Sequence, residues 1–414
     1  MTKEQLDILV ISDLHAHAGD PRKGDAPSYY STNNLYSSAD VNPMTGIAEL
    51  ISNANLHVDW VVCPGDLGDK ADAVAQKLAW ERLEKIRSSL NAHYLVGTTG
   101  NHDVDSRRFL ADFDPKSALQ LLVPTFPIDA KCYEVADRVY ADRFWSNNFV
   151  LVPFPEFDCS ILIINSCGFH GFASEAKKNA KPEHLNGKLS PLTLSAIKSA
   201  TASLATRLNI AIVHHHPIKV PFVDDGNSMM IGGDILIDHL KGTDKQWLVI
   251  HGHAHAPHLA YADANQLAPV LLSAGSVAAK TSRVKGGHAR NQIHHISIPL
   301  DKVEQSGAQI FGRVTSWVWA FENGWVMSGG TGVLPYQTGF GYRFDIVQIR
   351  DMIVAMAKDR TPELLSWTEV LNKIPKLVYL SPDDHIALLK SITVTGVKIE
   401  KNEFGIPLKL EWQT

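Results

Sequence analysis

The chain is poor in cysteine: Cys63, Cys132, Cys159 and Cys167 are the only four in 414 residues, and no two stand in a C-x-x-C spacing. That excludes a disulfide-framework fold and a zinc ribbon, and leaves thiols expected to be buried in a reducing compartment. Long apolar runs are missing as well. No stretch approaches the ~18 uninterrupted apolar residues of a membrane-spanning helix. The N-terminus, "MTKEQLDILVISDLH", runs straight into a strand without the apolar region of a signal peptide. A cytoplasmic protein is the expectation. Charge of one sign is not in excess either. Thirty-nine Lys and Arg against 44 Asp and Glu leave a net charge of −5, no general reason to expect nucleic acid or an anionic membrane as partner. The basic stretch "KTSRVKGGHAR" (280–290) is a local exception. No internal repeat and no low-complexity tract is present.

What the chain does have is histidine, 19 copies, many of them at the ends of short apolar runs. "DILVISD" (7–13), "VDWVVCPGD" (58–66), "AHYLVGTTGN" (92–101), "SILIINS" (160–166), "NIAIVHHH" (209–216) and "QWLVIHGH" (246–253) share one form. Four to six apolar residues without alternation predict strands buried on both faces. Helical spacing lies between them, over 72–90, over 189–205 with Ser190 as N-cap and Pro191 at the first helical position, and over 233–240. Alternating strand and helix predicts a layered α/β domain over about residues 1–304. In such sheets ligands gather at the carboxyl ends of strands, where these polar clusters fall.

Two polar insertions, 16–42 and 104–145, interrupt the pattern. Residues 305–414 change character and are expected to form a C-terminal α+β appendage. It contains an aromatic hairpin (312–327), helices over 344–359 and 364–374, and a strand over 392–400.

The clusters, in order, are Asp13-Leu14-His15, Gly65-Asp66 with Asp69, Gly100-Asn101-His102-Asp103, His215-His216-Pro217 and Gly252-His253-Ala254-His255. Each brings imidazole nitrogen or carboxylate or amide oxygen, a set suited to borderline divalent metals, and none brings thiolate. In an extended segment residues i and i+2 share a face, so Asp13 with His15, and His253 with His255, can address one ion. Glycines before Asp66, Asn101 and His253 allow sharp turns at crowded strand ends.

The ordered set "DLH", "GDLGD", "GNHD", "HHHP" and "HGHAH" resembles the calcineurin-like metallophosphoesterase superfamily over about residues 5–300, and looks closest to its cyclic-nucleotide phosphodiesterase-type members. The resemblance implies a four-layer αββα sandwich of two mixed β-sheets flanked by helices. It implies two divalent ions, manganese first, with iron, zinc, cobalt or nickel as alternatives. Asp13, His15 and His255 would ligate one ion and Asn101, His215 and His253 the other, with Asp66 bridging. Of the three successive histidines the family's spacing picks His215, with His214 as the alternative if the turn is irregular. His102 would protonate the leaving oxygen, oriented by Asp103, as a hydroxide bridging the ions attacks in line. The substrate implied is a small phosphodiester, a cyclic nucleotide first.

Rival readings are a DNA nuclease of the same superfamily, a phosphomonoesterase or phosphoprotein phosphatase, and a partner-binding scaffold with a vestigial site. Tyr29, Tyr30, Arg107 and Arg108 are the candidates for substrate contact. Asp69 supports a metal ligand or caps the following helix. His17 is a loop residue or a further ligand. His294 and His295 are structural residues of an edge strand, and Trp317, Trp319 and Trp325 pack the appendage, which itself binds a protein partner or mediates self-association.

Overall fold

The computed structural model describes residues 3–106, 114–130, 134–171, 185–220, 223, 228–280, 290–306, 308–330, 332–360 and 364–412. Arg107, Arg108, Cys132 and most of the basic stretch 280–290 lie outside these residues.

The apolar runs do form strands. The first four, β1 (Gln5–Val10), β2 (Trp60–Cys63), β3 (Tyr94–Gly97) and β4 (Ile128–Ala130), lie side by side in one sheet. The next six form a second sheet: β5 (Phe149–Phe154), β6 (Cys159–Ile164), β7 (Leu208–Val213), β8 (Trp247–His251), β9 (His258–Tyr261) and β10 (Val270–Ser273). The chain then returns to the first sheet with β11 (Gln292–Pro299), β12 (Gly312–Ala320), β13 (Gly324–Met327) and β14 (Gln337–Phe340). Three short strands, β15 (Leu365–Ser366), β16 (Val397–Lys401) and β17 (Pro407–Trp412), make a third sheet. The first two sheets are mixed. Strands β1, β2 and β3 run parallel in one, β6, β7 and β8 in the other, with antiparallel partners at their flanks. The expected pair of mixed sheets flanked by helices is the architecture of the chain.

Side-chain alternation shows where the layers lie. Ile161, Ile163, Ile210, Ile212, Leu248 and Ile250 join the core shared with β1 and β2. Leu162, Ile164, Ala211, Val213, Trp247 and Val249 point the other way and pack with Leu194, Ile197, Leu236 and Leu240 of the helices Pro191–Thr201 and Gly233–Lys241. Apolar side chains on both faces are what a sheet covered on both sides requires. The helices start where the sequence says they should. Asp72 accepts from the N–H groups of Val74 and Ala75, and Ser190 from Thr193 with Pro191 in the first turn.

The boundary expected at 305 is misplaced. The aromatic hairpin is there, but β12 pairs with β11, so residues 312–340 extend the first sheet. His294 and His295 therefore sit on an interior strand, between β1 and β12, and not on an edge. Trp317 is buried in the main core, while Trp319 and Trp325 donate to the carbonyls of Ala39 and Pro43 and tie down the loop after β1. A separate core begins only after Tyr342, where the helices Ile346–Lys358, Trp367–Lys373 and Pro382–Thr393 pack on the third sheet. Of the segment "ITVT", expected as strand, Ile392 and Thr393 end the last helix and Val394 and Thr395 turn the chain, because Leu388, Leu389 and Ile392 fall on one buried helical face. Arg343 fastens this unit to the second sheet, donating to the carbonyls of Ala264 and Asn265 with its guanidinium 4.2 Å from the Tyr261 ring centre.

Candidate metal centre

Asp13 and His15 follow β1, Asp66 follows β2, Asn101 follows β3, His214 follows β7 and His253 and His255 follow β8. The carboxyl ends of the parallel strands of both sheets thus meet at one place. The local route is not the extended one expected. Asp13, His15, Asp66, His253 and His255 all have positive φ, between 46° and 72°, the left-handed region that non-glycine residues seldom occupy. These turns fold each short segment back, so that neighbouring donors converge. Two glycines permit the crowding. A Cβ on Gly100 would lie 2.1 Å from Asp66 Oδ1, and one on Gly252 would lie 2.3 Å from Asp13 Oδ2.

One half of the cluster contains Asp13, His15, Asp66 and His255, whose donor atoms lie within 4.8 Å of one another. His15 Nε2 and His255 Nε2 are 3.0 Å apart, and His255 Nε2 is 3.3 Å from Asp13 Oδ1. Two ring nitrogens this close either share a proton or converge on one cation. In the other half Asn101 Oδ1 stands 3.0 Å from His214 Nε2 and 2.8 Å from His253 Nδ1. Asp66 Oδ2 lies between the halves, 3.6 Å from His15 Nε2 and 3.4 Å from His214 Nε2, while Oδ1 accepts the His102 N–H at 2.8 Å. That is the bridging position.

Backbone carbonyls set the imidazole tautomers. His214 Nδ1 faces Pro64 O at 2.8 Å and His253 Nε2 faces Leu185 O at 3.2 Å, so each ring turns its other nitrogen toward Asn101. Such outer partners orient metal-binding histidines. Ser276 Oγ donates to Asp13 O at 2.6 Å, and Ser12 Oγ to the Asp13 carboxylate. The cluster is almost sealed from water: Asp13, His15, Asp66, Asn101, His214 and His253 are all buried. Burial pushes the Asp13 and Asp66 carboxyls up, but the imidazoles, His255 for Asp13 and His214 first for Asp66, outweigh it and hold both below the ordinary range. His15 is pushed down to about 3 by burial and by His102, which keeps it neutral with a lone pair to give. Burial lowers His214, but the Asp66 charge outweighs it and raises the imidazole to about 9, a measure of how strongly the carboxylates attract positive charge here. Anionic oxygen, imidazole and a carboxamide, buried together, fit a pair of divalent ions.

Four expectations change here. The imidazole that meets Asn101 and Asp66 is that of His214, although a His215 ring nitrogen also lies within 4.8 Å of donor atoms of His214 and His253. Ile210, Ile212 and His214 occupy the face of β7 and its extension that looks between the sheets, and His215 takes the opposite face beside Ser166. His216 turns toward Ser228. Asp103 does not orient His102. Its carboxylate accepts from the backbone N–H groups of Asp66, Leu67, Gly68 and Gly100, and burial with the nearby Asp66 charge pushes it up to about 7. The partner of His102 is Asp69, with Oδ1 2.8 Å from Nδ1, and the helix cap is Asp72. Tyr30 is buried in the main core and is not presented to a substrate, while the half-buried Tyr29 ring packs on Trp319 and Phe321 with Lys280 above it. Both nitrogens of His17 are engaged within its own loop, by Ser28 O and Gly19 N–H. Ser166, Cys167 and His170, against the back of the centre, belong to none of the five polar clusters read from the sequence.

Two mixed sheets meeting at their strand ends over carboxylates, imidazoles and a carboxamide define a metal-dependent phosphoester hydrolase. A family model described as calcineurin-like phosphoesterase matches residues 6–257, and the chain belongs to that family. Among solved structures it is similar to a dimetal phosphatase from Danio rerio, at 12% identity over 75% of this chain and 95% of that one, with a TM-score of 0.47. It is also similar to a purple acid phosphatase from yellow lupin (Lupinus luteus) seeds, at 11% identity over 79% of this chain and 53% of that one, again with a TM-score of 0.47. No curated protein matches the sequence. No helix among the described residues is long and apolar enough to cross a membrane.

Proposed function

We propose that the chain hydrolyses a small phosphodiester, a cyclic nucleotide first among the candidates, at a centre of two divalent ions, manganese first. The observation that carries this reading is the convergence of Asp13, His15 and His255 on one side of Asp66 Oδ2, and of Asn101, His214 and His253 on the other. These residues would hold two divalent ions, which when bound would supply water activation near neutral pH and Lewis-acid chemistry toward a phosphoryl group. The chain's own contribution to leaving-group departure is the His102–Asp69 pair. His102 stands beside Asp66 through its backbone N–H, its ring is partly exposed, and Asp69 holds Nδ1, so Nε2 is directed away from the carboxylate and can pass a proton to an alkoxide. Asp103 keeps the Asp66 turn in shape through its backbone hydrogen bonds. A net charge of −5 supports a small substrate over a nucleic acid, whose phosphates reward a basic track. The buried free thiols of Cys63, Cys159 and Cys167 support a reducing, cytoplasmic setting.

The test strips the protein with chelator, restores Mn²⁺ and compares bis(p-nitrophenyl) phosphate with p-nitrophenyl phosphate, then cyclic nucleotides, with Asp66→Ala as control. Diester turnover that needs Mn²⁺ and is lost in the variant supports the proposal. Preference for the monoester converts it to a phosphatase reading, and no turnover with any divalent ion contradicts it.

A further inference from the structure

We propose that Cys167, His170 and His215 form a third ion site, for a zinc-class cation, behind the dinuclear centre. The three residues are 0%, 2% and 0% exposed, and one donor atom from each lies within 4.8 Å of the others. Cys167 and His170 stand at a C-x-x-H spacing in the turn after β6, closed by a 3.0 Å bond from His170 N–H to Cys167 O. His215 arrives from the end of β7, which pairs in parallel with β6, so an ion here would join two adjacent strand ends. Cys167 Sγ is already 3.9 Å from His215 Nδ1. A tetrahedral zinc with a thiolate and an imidazole ligand needs about 3.5 Å between sulfur and nitrogen. Ser166 Oγ, 2.8 Å from the same nitrogen, is within reach of a fourth position.

Hydrogen bonding alone does not explain why His215 is here. With Nδ1 engaged by Ser166, its Nε2 is buried without a hydrogen-bond partner in either tautomer. An ion held between Cys167 and His215 would take Nδ1, the nitrogen that faces the thiol, and leave the proton on Nε2. The donor chemistry also separates this site from its neighbour. The dinuclear centre offers oxygen and imidazole and admits hard or borderline ions, whereas one sulfur and two imidazoles select softer ones, zinc first. The two are nonetheless in contact, because the His215 ring centre is 4.3 Å from that of His253 and 5.0 Å from that of His214. An ion on His215 would fix the backs of both rings. The three successive histidines then have three assignments, to the dinuclear centre, to this site and to Ser228.

The experiment titrates the chelator-stripped full chain with Co²⁺ and follows the thiolate-to-cobalt charge-transfer band in the near ultraviolet, with metal counted by mass spectrometry. The expected result is a band in the wild-type protein that Cys167→Ser and His170→Ala each abolish, with one ion fewer per chain. Asp66→Asn should lose ions from the dinuclear centre and keep the band, which separates this proposal from the catalytic one. A wild-type protein without the band overturns the proposal, whatever the variants do, and so does a band that survives in folded Cys167→Ser.

Discussion

The metal centre and the C-terminal unit are built by opposite rules. In the unit that begins at Asp345 each helix has an ordinary start. Asp345 accepts from Val347 and Gln348, Ser366 forms a capping box with Glu369, and Ser381 accepts from Asp384. Its left-handed backbone positions among the described residues, Gly396 and Gly405, are glycines. At the centre five left-handed positions are Asp and His, each an arrangement that costs on the order of 1–3 kcal/mol. Carboxylates and imidazoles are also packed there out of reach of water. The unit is therefore what local propensity makes on its own, and the centre is what the surrounding sandwich imposes. Of these two regions, it is the centre that departs from local rules.

That contrast can be broken first at the centre. His214→Ala removes a donor that faces both Asn101 and Asp66, and turnover should fall more than about 10²-fold with loss of one ion. His215→Ala, one position along, should lose the third ion but keep both ions of the dinuclear centre, weakened by about 10–100-fold in affinity. Equal losses of turnover would return the ligand role in the dinuclear centre to His215. Next comes the proton donor. His102→Ala should spare both ions and slow hydrolysis roughly 10²–10⁴-fold. Asp69→Asn should fall short of that and shift the pH profile, whereas Asp103→Asn should act through stability and metal retention.

Stability effects come after these. His294 is buried between Ser316 and Ala274 O, and burial lowers it from 6.5 to about 4. Because the unfolded chain takes up that proton first, the contribution is complete above pH 6.5 and disappears as pH falls toward 4. In His294→Gln the denaturant midpoint should fall less steeply across that window, by a stability difference of roughly 3 kcal/mol at most. An unchanged slope would show that His294 is not carried neutral into the fold. Smallest of all, Ser366→Ala should cost about 1 kcal/mol of stability, read by urea unfolding, and leave kcat/KM untouched. A change in turnover would mean that the two regions are coupled.

Much of this was legible before the structure. Strands covered on both faces announce themselves as unbroken apolar runs, and the polar ends of those runs named most of the centre. The errors have physical causes. His214 and His215 differ by one residue, and only the alternation running from Ile210 through Ile212 decides which faces inward. Asp103 is next to His102 in the chain, yet the backbone N–H groups around Asp66 claim it, and Asp69, 33 residues before His102, reaches the ring instead. Strand β12 reads as part of an appendage because the chain leaves the first sheet at β4 and does not return until β11, a long-range pairing that local composition does not signal. Tyr30 sits in a polar loop by sequence but fills the core, since that loop folds back under Trp319 and Trp325.

The central claim is that Asp66 joins two ions. The most direct measurement is electron paramagnetic resonance of the stripped protein loaded with two equivalents of Mn²⁺. The account predicts the spectrum of an exchange-coupled pair, replaced in Asp66→Asn by uncoupled or unbound Mn²⁺. Two independent Mn²⁺ signals in the wild-type protein, or a coupled pair that persists in Asp66→Asn, would contradict it.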